Sequence, residues 1–333
     1  MNSLKNLNEK IREQTLDCLW EHWSRLGVPG TTSPDPAVNP DPEVLLLFSA
    51  EWVEHDLRLL KEIMIWLGNF QDRFYSNRFK KVLNRWKPDE KQIRILGGLF
   101  ETVSKQFDQK QPWNTLIKHL KELTTKKNDN FLLADANISG NLSKTFQNWG
   151  ILVPCQLDSV KEKTFSPESR ATVIGNNLRL WCRACFGTST RGELVNFFLA
   201  DGEGNSNSIA RELLLSQTTV NRLLHDLKEA NFLRSHKRGR SINYNINDNM
   251  SLRKTTEKFV NWFAFFQGIH EAYPIKTGKD LSDYQVKKII SRCKESFQNK
   301  FYQSEHNHDL ESDLPGTANK LMNCFSEISP APD

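Results

Sequence analysis

Two short helical patterns and one strand pattern follow each other between Asn205 and Ile246, and they constrain the fold more than any other part of the chain. Two apolar stripes have helical spacing: Ile209, Ala210, Leu213 and Leu214, and then Val220, Leu223, Leu224 and Leu227. Because such short helices bury little surface alone, we expect them to share one small core. Ser216 is expected to cap the second helix, Gln217 to Ala230, after a turn of two or three residues.

A β-hairpin is predicted directly after this second helix. Gly239 supplies the positive φ that a tight turn needs, while Ile242, Tyr244 and Ile246 alternate with polar residues as in a half-buried strand. Between Arg234 and Arg240 the chain carries four Lys or Arg and no acid. The pattern therefore predicts a hairpin with a basic tip.

The side chains expected to face outward here are of types that contact nucleic acid. Amides and guanidinium groups can bond base edges in pairs, Thr methyl groups can touch thymine, and a helix N-terminus or a cluster of cations attracts phosphate. A solvated run of charge is the alternative interpretation of the hairpin tip. The predicted DNA-binding residues are Ser216, Gln217, Thr218, Thr219, Asn221 and Arg222 on the helix, and His236, Lys237, Arg238 and Arg240 on the hairpin.

Over residues 188–247 this order of elements resembles the winged-helix transcriptional regulators of the ArsR-like and MarR-like type, with Arg234, Arg240 and Tyr244 following in family order. A second resemblance rests on NLRLWCRACFGT at 177–188 and DPEVLLLFS at 41–49, which are similar to a bacterial family of uncharacterised winged-helix regulators. Such regulators are commonly homodimers that match two half-sites in double-stranded DNA. The resemblance therefore implies both a DNA partner and a second copy of the chain.

A chain of 333 residues with 38% hydrophobic residues is long and apolar enough for two or three domains. The predicted fold class is mainly α, with a multi-helix N-terminal domain, a winged helix-turn-helix with a small β-hairpin, and C-terminal helices. The predicted boundaries are 1–154 for the N-terminal domain, 155–187 for a linker and connecting helix, 188–250 for the winged helix-turn-helix, 251–303 for the C-terminal helices and 304–333 for a polar, mobile tail.

Several single helices are predicted outside the winged helix, at Leu4–Leu26, Val173–Phe186, Leu252–Gly268 and Asp280–Phe301. Asp41, followed by Pro42, and Asp56 are expected to be N-caps of two aromatic-rich helices. The aromatic residues of 252–268 lie on more than one side of their helix. We therefore expect burial on several faces, either within the protomer or in a dimer seam.

The segment Tyr75–Trp86 predicts a helix with one apolar and one basic face. Phe79, Val82, Leu83 and Trp86 form the apolar face, and Arg78, Lys80, Lys81 and Arg85 are expected on the other. Two interpretations stay open, because such a helix is either a second DNA-contacting helix or simply solvated. No basic hairpin follows it.

The sequence predicts neither an enzyme nor a metal or cofactor site. Cys182 and Cys185 form a C-x-x-C, but a zinc site needs two more ligands and their neighbours are apolar. His270 and Glu271 lack the second histidine of an H-E-x-x-H helix. An acidic cluster is either a solvated helix end or a metal site; its members are Glu51, Glu54, His55 and Asp56.

The residue pattern therefore predicts a sequence-specific double-stranded DNA-binding protein, a repressor-like transcriptional regulator. Because no apolar run approaches the roughly 20 residues that span a bilayer and the N-terminus lacks a signal-peptide core, we expect no membrane partner and a cytoplasmic location. The alternative is a protein-binding adaptor or an antitoxin-like component of a defence or toxin-antitoxin system. The pattern identifies neither a protein partner nor a small-molecule effector.

Overall fold

The computed structural model describes residues 2–30, 34–107, 110–125, 130–133, 141–159, 164–247, 249, 255–271, 282, 284–285, 288 and 320. These residues are mainly helical. The helices are α1 (Asn2–Arg25), α2 (Pro42–Trp52), α3 (Leu57–Asn69), α4 (Ser76–Trp86), α5 (Glu90–Gln106), α6 (Lys110–Leu123), α7 (Lys144–Gln147), α8 (Pro167–Asn176), α9 (Leu178–Phe186), α10 (Thr190–Leu199), α11 (Ser206–Glu212), α12 (Gln217–Glu229) and α13 (Trp262–Glu271).

Two small sheets complete the described structure. Strands β1 (Phe131–Leu132) and β2 (Ile151–Leu152) pair in parallel, and β3 (Leu233–Arg238) and β4 (Ser241–Ile246) pair antiparallel. None of the described helices is both long and apolar enough to cross a membrane. The predicted helix over Asp280–Phe301 and the predicted tail lie almost wholly outside the described residues.

The described residues form two compact units that are not continuous in sequence. The first unit takes its residues from Met1–Arg25, Gly30–Pro40 and Cys185–Asp333. The second takes them from Leu26–Pro29 and Asp41–Ala184. Helix α1 is therefore in the same unit as the three helices and the hairpin of residues 190–246.

The predicted starts of α2 and α3 are confirmed. Asp41 has extended backbone and its side chain accepts from the Val44 N–H, with Pro42 in the first turn of α2. Asp56 accepts from the N–H groups of Arg58 and Leu59 at the start of α3. These bonds satisfy N–H groups that have no partner inside the helix, which is why both helices begin where the sequence predicts.

A buried cluster of charged side chains holds α2, α4 and α9 together in the second unit. Five side chains form this charge cluster, each of them at most 6% exposed: Asp41, Glu43, Arg78, Arg179 and Arg183. Arg78 donates to Asp41 at 2.7 Å and to Glu43 at 2.9 Å. Arg183 donates two bonds to Glu43, at 2.8 and 2.7 Å, and Arg179 lies 3.0 Å from Asp41.

The electrostatics of the charge cluster keep the Asp41 carboxylate ionised. Burial alone would raise the pKa of Asp41, but the positive charges of Arg179, Arg78 and Arg183 outweigh that effect and hold the pKa far below its ordinary value of 3.8. The backbone N–H of Tyr75 also donates to Glu43 at 2.7 Å. Arg183 also donates to the carbonyl of Arg73. The cluster has three guanidinium groups but only two carboxylates, so this backbone bond gives Arg183 an additional acceptor.

One prediction about α4 is wrong, and the charge cluster explains why. Arg78 was expected on the basic outer face, but its side chain is 2% exposed and bonded to Asp41 and Glu43. The apolar side of the helix is as predicted, with Phe79, Val82, Leu83 and Trp86 buried. Arg78 is inside because it is next to this apolar side and finds two carboxylates there, which periodicity alone does not reveal.

Two predicted helices have different boundaries in the structure. The segment predicted as one helix over Val173–Phe186 is divided between α8 and α9, because Asn177 is extended and its side chain accepts from the Leu180 N–H. The helix predicted from Leu252 begins at Trp262. Before it, residues 255–261 are not helical, and the Phe259 N–H donates to the Ala200 carbonyl at 2.8 Å. Gly187 ends α9 with φ +83, as a C′ residue should.

The aromatic residues of α13 are buried within the chain itself. Trp262, Phe265 and Phe266 are at most 1% exposed, and the Trp262 indole donates to the Asn39 carbonyl at 2.7 Å. Their burial needs no partner subunit. The pattern that suggested a dimer seam is therefore explained by packing inside the first unit.

His22 lies in this aromatic core as a neutral imidazole. Its ring packs edge-on against Trp262, with ring centroids 4.3 Å apart, and also contacts Phe266. Nδ1 is 2.8 Å from the Cys18 carbonyl, an acceptor, so Nδ1 carries the proton. Burial lowers the pKa of His22 to about 4, against the weaker opposing effects of the Cys18 bond and the Glu21 charge.

The substitution Glu43→Gln should destabilise the protein by about 3–5 kcal/mol, because it leaves Arg183 and Arg78 buried without their shared carboxylate. Glu54→Gln is the matched control, since Glu54 pairs with Lys91 at a site that is 22% exposed and should cost under about 1 kcal/mol. Urea unfolding followed by circular dichroism measures both. Equal losses for the two variants would show that the charge cluster is not a main source of stability.

His22 should make stability depend on pH between about 6.5 and 4. In this range the unfolded chain binds a proton that the folded chain excludes, so the contribution is complete above pH 6.5 and is lost as the pH falls towards 4. Urea unfolding should show a loss of about 2 kcal/mol between pH 7.5 and 5 from this residue. His22→Phe should remove that part of the pH dependence, whereas a His55→Gln control should keep it. Identical pH profiles for wild type and His22→Phe would contradict the assignment.

Candidate nucleic-acid interface

Helices α11 and α12 are joined by a tight turn in the first unit. The turn has four residues, 213–216, rather than the two or three that the sequence predicts. Leu214 takes a left-handed conformation with φ +55, and the Leu215 N–H donates to the Ala210 carbonyl at 2.8 Å. This bond closes the end of α11 in the manner of a Schellman motif and fixes the direction in which α12 leaves the turn.

The predicted division of α12 into an inner and an outer face is largely confirmed. Val220, Leu223 and Leu224 are buried, and α12 packs on α10, α11 and β3. The outer side chains Ser216, Gln217, Thr218, Asn221 and Arg222 are exposed, and Thr219 is half-buried. The first two turns of α12 therefore display amide, hydroxyl and guanidinium groups towards solvent.

Ser216 has the predicted position but not the predicted bond. It is the N-cap residue of α12 with extended backbone, and its carbonyl accepts from the Val220 N–H at 2.9 Å. Its hydroxyl makes no capping hydrogen bond. The first N–H groups of α12 are consequently left without a side-chain cap, and a helix start of this kind favours an anion.

The predicted hairpin is confirmed, with Gly239 and Arg240 as its two-residue turn and Gly239 at φ +62. Leu233 pairs with Ile246 and Arg238 with Ser241. The predicted alternation on β4 is wrong at two positions, because Asn243 is only 1% exposed and Ile242 is 52% exposed. Near the turn the hairpin extends beyond the core, so no neighbour among the described residues covers the Ile242 side chain.

A third extended segment pairs with the hairpin. Gly204 and Tyr244 exchange two backbone bonds, at 3.1 and 2.8 Å, so the chain between α10 and α11 lies along β4. Tyr244 is buried there, and burial raises the pKa of its hydroxyl. A single paired residue leaves no strand pattern that periodicity could detect.

The cationic side chains of the hairpin lie towards its tip. His236, Lys237, Arg238 and Arg240 are all exposed. Arg234 differs, because its side chain donates to Asn247 at 2.9 Å and so belongs to the base of the hairpin. The structure thus places the ten predicted residues in two groups within one unit, at the start of α12 and at the hairpin tip.

These two groups offer complementary chemistry. The α12 group combines amide donors and acceptors with one guanidinium, which is the set that can bond base edges in a major groove. The hairpin group consists of cations and one imidazole, which suits phosphate oxygens. Both groups stand on a buried framework that includes Leu224, Leu233 and Tyr244. Packing therefore fixes the position of α12 and of the base of the hairpin.

Other candidate sites have structural partners instead. In the acidic cluster, Glu51 accepts from Gln92, Glu54 pairs with Lys91 and Asp56 caps α3. Cys182 is buried while Cys185 is exposed on α9. The part of the chain that the structure describes contains no group of three His, Cys, Asp or Glu placed to hold a metal ion.

The second unit also contains an open polar cavity of about 770 Å³ between α5, α6 and the β2 region. Its charged lining residues are already engaged, since Arg94 bonds Glu90 and Glu101 accepts from Lys105 and from the Trp149 indole. The third of them, Lys121, has its ammonium group 5.7 Å from the centre of the Trp149 ring. Glu101 has a pKa below its ordinary value, because these bonds outweigh the effect of burial. Each charged residue that lines the cavity therefore already has a partner.

Comparison of the chain with protein-family models, with curated proteins and with solved structures gave no match. The functional argument therefore depends on the geometry of α12 and the hairpin.

Proposed function

We propose that residues 190–246 form a winged helix-turn-helix that binds double-stranded DNA in a sequence-specific manner, and that the protein is a repressor-like transcriptional regulator. The proposal depends on one observation. A single unit contains both the exposed, polar start of α12 and the exposed, basic tip of the hairpin. The order of α10, a paired residue at Gly204, α11, α12 and the hairpin supports it. In a winged helix such an order places the helix after the turn in the major groove.

In this proposal α12 reads base edges. Gln217 and Asn221 would bond adenine through their amides, Arg222 would bond guanine, and the Thr218 methyl group would contact thymine. Each of these four side chains is exposed. The uncapped start of α12 would bind a backbone phosphate and so set the register of the helix on the duplex.

The hairpin would act as the wing. Lys237, Arg238 and Arg240 would bind phosphates or enter the minor groove, which adds affinity that falls steeply with salt. Two copies of the chain would bind an inverted repeat, as a homodimer matches two half-sites. Selection from random duplexes should then enrich an inverted repeat.

A protein-binding adaptor, or an antitoxin-like component of a defence system, is the second candidate. The observation that favours it is Ile242, whose exposed apolar side chain beside the basic tip is unusual on a surface made only for phosphates. A protein that copurifies with the chain and remains bound after Arg240→Ala would support this candidate. Weaker DNA binding on the same change would support the first.

Asn221→Ala should weaken binding to the selected site by about 1–3 kcal/mol and relax the preference at one base position, because it removes a base-edge contact. Binding to unselected DNA should hardly change. Asn207→Ala on α11 is the matched control, since Asn207 is also an exposed amide near a helix start. Competition binding with single-base variants of the site measures the effect. An unchanged base preference would contradict the proposal that α12 reads base edges.

Arg240→Ala should weaken binding to selected and unselected duplexes alike, because a phosphate contact carries no sequence information. The slope of log K against log[salt] should fall by about 0.9. Lys228→Ala is the control, as Lys228 is exposed at the far end of α12. Fluorescence anisotropy between 50 and 200 mM salt gives both slopes, and a slope lowered equally by the control would contradict a specific role of the wing.

A further inference from the structure

Helix α4 in the second unit presents a group of cations that no described carboxylate neutralises. The members of this basic face are Lys80, Lys81 and Arg85 on the helix, and Lys87 directly after its last residue. Between Phe74 and Pro88 the chain carries five Lys or Arg and no acid. Elsewhere in this unit Lys91, Arg94 and Lys105 each pair with a carboxylate. The basic face is thus a local concentration of uncompensated positive charge.

The packing of α4 fixes the direction of this face. Phe79, Val82 and Leu83 are buried on the opposite side, and Arg78 is held in the charge cluster by Asp41 and Glu43. The helix therefore cannot turn about its axis without breaking buried ion pairs. Its outward positions stay outward, with Asn77 and Asn84 exposed among the cations.

The spacing of the basic face suits a polyanion with repeated charges. Lys81 and Arg85 are four residues apart, which is about 6 Å along a helix. Double-stranded DNA carries one negative charge about every 1.7 Å of its axis, so it offers partners to several cations at once. The exposed amides of Asn77 and Asn84 can also donate to phosphate oxygens.

We propose that the basic face of α4 is a second contact for double-stranded DNA, which binds backbone phosphates and does not read sequence. The contact goes beyond the proposed winged helix, since it lies in the other unit and its argument needs none of the residues 190–246. It would raise affinity for any duplex and leave the choice of site to α12.

The surface of α4 favours a duplex over other partners. A protein interface needs an apolar centre with a polar rim, but the large apolar residues of α4 are all buried. A single strand would need exposed aromatic rings for stacking, and Phe79 and Trp86 are at most 5% exposed. The outward residues are mostly cations, which bind phosphates more than they discriminate bases.

The test uses the full chain and a 40-base-pair duplex of random sequence in fluorescence anisotropy at 50–200 mM salt. The variant K80Q/K81Q/R85Q should raise the Kd roughly tenfold at the lowest salt and lower the salt slope by about 2, as expected for the loss of two or three phosphate contacts. The control K61Q/K118Q/K144Q removes the same charge from other surfaces of this unit and should change the Kd less than twofold. Circular dichroism checks that both variants are folded.

The wing variant K237Q/R238Q/R240Q, measured in parallel, separates this inference from the proposed function. Weaker binding by the α4 variant with no effect of the wing variant would support the α4 contact and overturn the proposed phosphate contacts of the wing. Weaker binding by the wing variant alone would overturn the α4 contact. Equal weakening by the α4 variant and its control would also overturn it, since net charge would then explain the result.

Discussion

The second unit depends on the ion pairs that Asp41 and Glu43 make at the start of α2. Burying five charged side chains costs several kcal/mol per ion, and the cost is offset only where geometry is good and every polar atom has a partner. Here the guanidinium groups of Arg78 and Arg183 bond the carboxylates at 2.5–2.9 Å, and the Tyr75 N–H and the Arg73 carbonyl add two backbone bonds. Three helices that are distant in sequence are thereby fixed in one arrangement. The exposed face of α4 is a direct result, because Arg78 locks the rotation of that helix.

Local signals explain most of what the sequence could predict. The caps at Asp41 and Asp56, the turn at Gly239 and the inner face of α12 all depend on residues within a few positions of each other. Tertiary partners explain what it could not predict. Arg78 is buried because carboxylates more than 30 residues away accept from it, and Ile242 is exposed because the core ends before the hairpin tip. Periodicity shows which residues of an element share a face, but it does not show which side chains of other elements lie next to them.

The two stretches that carry the second resemblance meet in space. Residues 41–49 contribute both carboxylates of the charge cluster, and residues 177–188 contribute two of its three guanidinium groups. Asn177 begins α9 at the point that allows this, because its side chain accepts from the Leu180 N–H and starts a new helix. The charged residues in each of these largely apolar stretches are therefore explained by the charged residues of the other stretch. Each stretch on its own would present unpaired buried charge, which is why neither pattern could be interpreted separately.

Arginine has two opposite roles in this chain, and the difference decides what substitutions can test. Arg179 and Arg183 are buried and bonded, so removing either would leave a charge without its partner and change the fold together with any activity. Arg222 and Arg240 are exposed, where an ionic interaction contributes little to stability because water and salt screen it. The exposed cations of the candidate interface therefore contribute little to the stability of the core that supports them. A loss of DNA binding on changing an exposed cation, with stability unchanged, reports on the surface itself, whereas the same loss from a buried arginine would report only on folding.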